Sequence, residues 1–256
     1  MASVKEYRVR IPLSTEEYRI GQLYGVAKAA LETTDGTDGI EIIENRPYTD
    51  ENGVSGQYTL KRFHLKQLIP RWISLLLPNS ALTVDEKSWN CYPHTLTTYH
   101  SPFLGERFLL EVESMHCDDD GNAPNILNMA DELIERRVID VVDTVNENVD
   151  DNGGLRSFHS EKANRGPFAE NWNYEFAPTM TAYKAVRCTC RIFPLQGKLQ
   201  RFIQNKMREV FLKYNQKNVM WMDEWYGMTL EDIRAMEESV KQDLASKWDE
   251  EEPAVQ

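Results

Sequence analysis

One basic residue stands out on a strand that is otherwise apolar on one side. Alternation over residues 179–193 predicts a long β-strand, because strand side chains point to opposite faces at every second position. Lys184 is the only charged residue on the inward face. A lysine facing a core is costly unless it meets an anion. Lys184 therefore either binds an anionic group or extends to solvent. The other residues of that face are Met180, Ala182, Val186, Cys188, Cys190 and Ile192.

Two other elements carry polar residues beside predicted apolar surfaces. Glu237 follows Met236 at the edge of the apolar stripe of the last predicted helix, where a carboxylate is either solvated or directed inward. Thr59 and Lys61 share one face of a predicted strand, which is also an ordinary pattern for an exposed face. Three inward polar groups that met would indicate a buried, charged ligand, and periodicity leaves open whether they meet.

The short motifs of common catalytic sites are absent from the sequence. It has no Gly-x-Ser-x-Gly, no His-Glu-x-x-His, no Walker loop and no Gly-x-Gly-x-x-Gly. Its five histidines lie in unrelated contexts, and the pair Cys188 and Cys190 has no second ligand pair for a metal ion. The sequence therefore favours a binding protein over an enzyme, with no catalytic residue, no metal site and no cofactor.

Composition narrows the class of protein further. The 256 residues include 29 Lys and Arg against 41 Asp and Glu, a net charge of −12. This charge argues against non-specific nucleic-acid binding and against a polybasic membrane anchor, and it predicts repulsion from anionic bilayers. Apolar runs stay far below the ~20 residues of a membrane span, and the N-terminal residues lack the apolar core of a secretory signal. Four cysteines in so long a chain do not suggest a disulfide framework. We expect a reduced, cytoplasmic protein.

The order of the predicted elements indicates an α+β fold. We expect about seven or eight mostly antiparallel strands and three long helices that cover a sheet face. One domain should span residues 1–248, with an acidic, disordered tail over 249–256. Strands are predicted at 5–11, 40–44, 56–65, 82–87, 89–100, 108–116, 137–145 and 179–193, with turns at 35–39 and 150–154. Helices are predicted from the capping box at Ser14, at 71–77, 124–135 and 196–214, and from Thr229 to about Trp248.

Several long segments resemble the class I phosphatidylinositol transfer proteins. They occur in the family's order along nearly the whole chain: KEYRVRIPLSTEEYRIGQLYGVAKA, GQYTLKRFHL, EKSWNCYP, NRGPFAENW, AYKAV, LQGK and LEDIRAMEE. The resemblance implies a START-like, helix-grip fold, in which a concave sheet and long helices enclose one phospholipid. It implies a monomer that exchanges phosphatidylinositol or phosphatidylcholine between membranes without chemistry. Transient membrane contact and phosphoinositide kinases as candidate partners follow from the same resemblance.

The resemblance also implies a set of headgroup contacts. Lys184 and Glu237, the residues that periodicity leaves ambiguous, match family contacts to the inositol phosphate, and so become candidate functional residues. The full set of matching positions is Thr59, Lys61, Glu86, Asn90, Thr97, Lys184 and Glu237.

Three positions depart from the family pattern. Thr95 stands where animal members carry a cysteine that lines the choline-lipid site, which leaves the handling of phosphatidylcholine open. Ile192 and Phe193 replace a tryptophan pair that dips into the membrane, and we expect them to form the membrane-docking tip. Ser160 falls at a phosphorylation site of some members and is a candidate for modification, although Glu161 follows it here.

The physical chemistry of lipids sets the mechanism to expect. A two-chain lipid has on the order of 30 methylenes, each worth about 0.8 kcal/mol when removed from water, so a carrier must enclose both chains and exchange one lipid for another. We expect the helix from Thr229 and the loop before residue 196 to open. Two alternatives are a START-like carrier of a sterol or another lipid and an enzyme of the same helix-grip shape.

Overall fold

The structure is a computed structural model that describes residues 3–33, 39–65, 69–148, 154–175 and 178–249. The predicted turns over 35–39 and 150–154 lie largely outside these residues, and so does the predicted tail after Asp249. The strands are β1 (Ser3–Ile11), β2 (Gly39–Thr49), β3 (Ser55–His64), β4 (Thr83–Cys91), β5 (His94–His100), β6 (Phe108–Cys117), β7 (Val138–Asp143) and β8 (Met180–Cys190). The helices are α1 (Thr15–Thr33), α2 (Arg71–Ser74), α3 (Asp131–Ile134), α4 (Trp172–Glu175), α5 (Gln196–Met220), α6 (Met222–Trp225) and α7 (Leu230–Asp249), with 3₁₀ turns at Asn79–Leu82 and Gly105–Arg107.

The strands form one sheet in the order β2-β3-β4-β5-β6-β8-β1-β7. Neighbouring strands are antiparallel except β1 and β7, which are parallel. The long helices lie on one face of this sheet: α5 packs on β8 and β1, while α1 and α7 pack on each other and on β2. This arrangement confirms the predicted α+β, helix-grip fold.

Side-chain caps fix where two of the covering helices begin. At the start of α1, the Ser14 hydroxyl accepts the Glu17 N–H (3.2 Å) and the Ser14 N–H donates to the Glu17 carboxylate (2.8 Å). At the start of α7, Thr229 and Asp232 exchange the same pair of hydrogen bonds. Both caps were predicted, and each satisfies backbone N–H groups that have no partner within the helix.

The core is built where α5 crosses β1 and β8. The Tyr7 hydroxyl donates to the Gln204 carbonyl (2.6 Å), and its ring meets Phe211 edge-on at 5.3 Å. The reverse face of β8 is also covered, because Tyr183 and Ala185 pack against Leu127 and Met129 of the segment before α3. Strand β8 is therefore packed on both faces along most of its length.

Several predicted boundaries are wrong for reasons that the packing explains. We predicted a strand break at Ser88, but β4 continues to Cys91, because Ser88 faces inward and its hydroxyl meets that of Thr97 (3.1 Å). Helix α5 extends to Met220, whereas we predicted its end at residue 214. The prediction was too short because buried polar residues interrupt the apolar stripe of the helix after that point. Gln216, for example, donates to the Thr144 and Glu147 carbonyls. Strand β8 ends at Cys190, three residues before the predicted end.

Candidate functional site

A polar cavity of about 260 Å³ lies between the covered face of the sheet and helices α1, α5 and α7. Every one of the predicted headgroup positions borders it, and they arrive from β3, β4, β5, β8 and α7. The structure therefore brings together side chains that are far apart in the sequence. The predicted positions on its wall are Thr59, Lys61, Glu86, Asn90, Thr97, Lys184 and Glu237, and Thr95 lies among them.

Sheet register explains why these side chains meet. Cross-strand partners on β3, β4, β5, β6 and β8 form rows across the sheet, and successive rows lie two residues apart along each strand. The first row is polar throughout, while the second and third rows are polar on β3–β5 and end in apolar residues. The first row is Gln57, Asn90, Thr95, Ser114 and Lys184; the second is Thr59, Ser88, Thr97, Val112 and Val186; the third is Lys61, Glu86, Tyr99, Leu110 and Cys188.

Lys184 is the cation at the deep end of the first row. Its ammonium lies 3.4 Å from the Ser114 hydroxyl and 5.2 Å from the centre of the Phe211 ring, and within the described ranges no carboxylate pairs with it. Burial lowers the pKa of Lys184 from 10.5 to about 8. A desolvated ammonium without a counter-charge attracts an anion strongly.

The third row contributes a cation that is already paired. Lys61 lies 3.5 Å from the Glu86 carboxylate, with both side chains largely shielded from solvent. Tyr99, opposite Glu86 on β5, has a pKa well above its ordinary value because of burial and, secondarily, the Glu86 charge. The row therefore offers a carboxylate acceptor, an ammonium donor and a neutral phenol, which suits a ligand with several hydroxyl groups.

Two buried polar atoms on the cavity wall have no hydrogen-bond partner in the described part of the chain. They are the Asn90 side-chain oxygen on β4 and the Gln22 side-chain nitrogen on α1. Buried polar groups in native proteins are nearly always paired. An unpaired acceptor and an unpaired donor on opposite walls therefore point to a polar ligand between them.

Sequence reasoning missed several polar residues of the wall, among them Gln22 on α1 and Asn45, Gln57, Ser88 and Ser114 on the sheet. Asn45 accepts hydrogen bonds from Gln57 (2.6 Å) and Thr59 (3.3 Å), and Ser88 and Ser114 flank Thr97 and Lys184. The strand period could have assigned Gln57 and Ser88 to the face of Thr59 and Glu86. Asn45 escaped notice because β2 was predicted to end at residue 44, whereas it continues to Thr49.

Glu237 reaches the cavity from α7, which forms part of its roof. Its carboxylate is 19% exposed and lies 2.5 Å from Arg234 on the same helix. Helix α7 is held in place by Val240 against Ala27 and Ala30 of α1, and by Ile233 in the main core. The carboxylate is therefore neither fully solvated nor hydrogen-bonded to a described residue of the sheet, and its position is set by α7.

An apolar cavity of about 380 Å³ continues along the same sheet face. It adjoins the polar cavity at Tyr99 and Met207, which border both. Its walls come from the far ends of β3, β4, β6 and β8, from α2 and from the first half of α5. Its lining is Phe63, Leu65, Ile69, Ile73, Leu77, Ala81, Leu82, Val84, Tyr99, Leu104, Phe108, Leu110, Cys190, Ile192, Leu199, Phe202, Ile203, Lys206, Met207 and Val210.

The predicted membrane-docking pair is divided by the structure. Phe193 is 89% exposed, whereas Ile192 is partly buried and lines the apolar cavity. Both follow β8, at the turn into α5. Only Phe193 is placed to touch another surface, and Ile192 belongs to the cavity wall.

Ser160 lies in a buried contact. Its hydroxyl donates to Asp223 (2.5 Å), which also accepts the Lys162 N–H (3.0 Å), and the side chain is fully shielded. These hydrogen bonds hold the pKa of Asp223 below its ordinary value. A kinase would reach Ser160 only after this segment opened.

No described helix is both long enough and apolar enough to cross a bilayer. The fold and the adjoining cavities define a helix-grip protein whose interior is polar at one end and apolar at the other.

Comparison with known proteins agrees with that class. A family model described as "Phosphatidylinositol transfer protein" matches residues 2–242. The chain is 41% identical to Phosphatidylinositol transfer protein 2 of Dictyostelium discoideum over 98% of each chain. It is 40% identical to Protein retinal degeneration B of Drosophila melanogaster, over 95% of this chain and 21% of that protein. The chain belongs to the phosphatidylinositol transfer protein family, a family of lipid transfer proteins and not of enzymes.

Proposed function

We propose that this protein encloses one phosphatidylinositol molecule and exchanges it for another phospholipid at membrane surfaces. The inositol phosphate lies in the polar cavity and both acyl chains lie in the apolar one. The observation that carries the proposal is the change in polarity along one sheet face, at Tyr99, where the two cavities adjoin. A phospholipid has the same sequence of polar and apolar parts.

The polar wall suits the inositol phosphate in particular. Lys184 supplies a positive charge without a carboxylate partner among the described residues, so the phosphate is its natural counter-ion. Thr59, Asn90 and the pair of Lys61 and Glu86 offer donors and acceptors for ring hydroxyls. A site built to hydrogen-bond hydroxyls rejects a ligand that lacks them by a large factor.

Phosphatidylcholine is the second cargo that we propose. Its phosphate can meet Lys184 in the same way, but its choline offers no hydrogen bonds to the wall. Thr95 lies between Asn90 and Ser114 in the first row, where its hydroxyl can hold a bridging water. We therefore expect phosphatidylcholine to bind more weakly than phosphatidylinositol.

Lipid exchange requires the cavities to open, and we propose that two elements of the fold take part in this opening. Helix α7 contacts α1 and β2 through a small apolar cluster, so its displacement would uncover the polar cavity. The turn before α5 bears the exposed Phe193, which would enter the bilayer, while Ile192 would contact the acyl chains in the apolar cavity. A monomer working in the cytoplasm in this way would present phosphatidylinositol to phosphoinositide kinases.

The alternatives fit the cavities less well. A sterol has one hydroxyl, which would leave Lys184 without a counter-charge and leave Asn90 or Gln22 unpaired. An enzyme of this shape would need an acid and a base aimed at one bond. The described carboxylates of the cavity, Glu86 and Glu237, each face a cation of the same wall or helix.

Mass spectrometry of lipid that co-purifies with the protein tests the proposal. We expect phosphatidylinositol and phosphatidylcholine in a total of one molecule per chain. A sterol, or no lipid at all, would overturn the assignment. Incubation with phospholipid followed by product analysis tests the enzymatic alternative, and a turned-over product would favour it.

A further inference from the structure

Three segments around the mouth of the apolar cavity differ in charge from the rest of the chain. Residues 70–82, 101–108 and 190–202 contain five basic residues and a single acidic one, Glu106, although the whole chain has a net charge of −12. We define the basic rim by its members, Arg71, Arg107, Arg191, Lys198 and Arg201, all of which are exposed.

The basic rim is a single surface in space. The Arg191 N–H donates to the Arg107 carbonyl (2.7 Å), which joins the end of β8 to the start of β6. The Lys198 ammonium lies 4.1 Å from the centre of the Trp72 ring, which joins α5 to α2. Ile73, Leu104, Ile192 and Leu199 of the same segments line the apolar cavity, so the exposed basic residues lie where the cavity wall reaches the surface, which we call the mouth of the cavity.

These cations differ from most others of the described surface in having no acidic partner. Lys5, Arg62, Arg137 and Arg208, for example, each lie within 3.1 Å of a carboxylate. Within the described ranges, no member of the basic rim forms an ion pair. Unpaired cations grouped on one side of an acidic protein suit an external anionic surface.

The start of α5 adds to the same field. Its first turn has no acidic residue and Leu195 provides no side-chain cap, whereas the first turns of α1 and α7 carry acidic residues. The partial positive charge of this helix terminus is therefore not offset locally.

Exposed apolar residues project from the same segments. Leu75 and Leu76 follow α2, Phe103 lies in the turn before β6, and Phe193 precedes α5, with exposures of 74%, 56%, 49% and 89%. Unpaired cations together with large exposed apolar side chains fit a membrane interface, since the apolar groups enter the acyl boundary and the cations meet lipid phosphates.

We propose that the basic rim makes this protein dock on anionic bilayers, with the mouth of the apolar cavity facing the membrane. This inference rests on the proposed lipid exchange and adds to it a preference for membranes that contain anionic lipids. It predicts that local charge outweighs the repulsion expected from the net charge, because surface fields fall off within about 10 Å in 0.1 M salt.

The test compares two variants with the same change in net charge. In the rim variant Arg71, Arg107, Arg191, Lys198 and Arg201 are all replaced by Gln. The control variant carries Gln at five exposed basic positions outside these segments: Arg19, Arg46, Arg156, Lys162 and Lys241. Co-sedimentation is measured on vesicles of phosphatidylcholine alone and of phosphatidylcholine with phosphatidylserine.

We expect the wild type to prefer the vesicles that contain phosphatidylserine and to lose that preference in high salt. The affinity of the rim variant for these vesicles should fall by at least about tenfold, since each basic residue contributes to the attraction. The control variant should bind like the wild type, and replacing the rim arginines by lysine should preserve binding. Equal binding of the wild type to both vesicles, or equal loss in both variants, would overturn the proposal.

The lipid content of each variant separates this proposal from the proposed function. If the rim variant still carries phospholipid but fails to dock, the rim acts at the membrane. Absence of phospholipid from wild type and variants alike, with docking intact, would count against the lipid exchange and leave the docking surface standing.

Discussion

The two cavities lie on one face of one sheet, yet they are built by different means. The polar cavity is held by cross-strand hydrogen bonds and the pair of Lys61 and Glu86, and it includes buried atoms without partners. The apolar cavity is larger, and apart from Tyr99 and Lys206 its wall is almost wholly apolar or sulfur-containing. Apolar burial supplies a large, unselective free energy, whereas unmet hydrogen bonds discriminate between ligands. If the lipid lies as we propose, affinity and selectivity come from different parts of the same sheet.

A negative charge introduced into the polar cavity is the strongest test of this difference between the two cavities. Thr59→Asp places a carboxylate beside the expected phosphate, and like charges in a desolvated site cost several kcal/mol. We expect phosphatidylinositol transfer between vesicles to fall by about 100-fold or more. The thermal midpoint should stay close to that of the wild type. The matched control is Thr98→Asp on the opposite face of β5, and normal transfer by a folded Thr59→Asp protein would disprove the assignment.

Filling the apolar cavity should affect every cargo equally. Ala81→Phe places a ring among Leu82, Val84 and Leu104 and occupies space needed by an acyl chain. We expect transfer of phosphatidylinositol and of phosphatidylcholine to fall together by about tenfold, with about 1–3 kcal/mol lost from the free energy of unfolding. Selective loss of one lipid would mean that the apolar cavity also reads the headgroup.

Separate substitutions distinguish the membrane tip from the cavity wall. Phe193→Ala removes an exposed ring, so transfer should slow by about three- to tenfold while bound lipid stays bound. Ile192→Ala instead enlarges the apolar cavity and should lower the thermal midpoint. Vesicle transfer and thermal melting are measured for both. Identical behaviour of the two variants would contradict the different placement of the two side chains.

The pH dependence of stability sharpens the role of Lys184. Its pKa is about 8 in the folded, lipid-free protein and 10.5 ordinarily, so the unfolded chain binds more protons and stability rises with pH across this window. We expect the lipid-free protein to gain about 1 kcal/mol from this group between pH 7 and 9. Lys184→Met should remove the rise, raise lipid-free stability at pH 7, and weaken phosphatidylinositol binding.

Denaturant unfolding at several pH values, with and without bound phosphatidylinositol, provides the measurement. A bound phosphate should restore the pKa of Lys184 and flatten the profile of the wild type. A profile that rises equally in Lys184→Met would assign the effect to other groups.

The strand period was enough to find Lys184, because the inward face of β8 is otherwise apolar and Lys184 is the only charged residue on it. It was not enough to show that Lys184, Thr59 and Glu237 meet, since that depends on sheet order and on where α7 lies. Asn45 was missed because the end of β2 is set by pairing with β3 rather than by its own residues. The length of α5 was underestimated because Gln216 is buried through hydrogen bonds to a distant loop. Local pattern thus identified unusual residues, and non-local pairing determined their neighbours.

The rows across the sheet have an evolutionary consequence. Side chains on one face form a lattice spaced about 5 Å between strands and about 7 Å along them, and each lattice point is encoded by one codon. Replacing the residue at one point, as at Thr95, changes one contact without altering backbone, register or the apolar cavity. Descendants of such a sheet can acquire a different set of polar contacts by single mutations, while the apolar cavity is inherited unchanged.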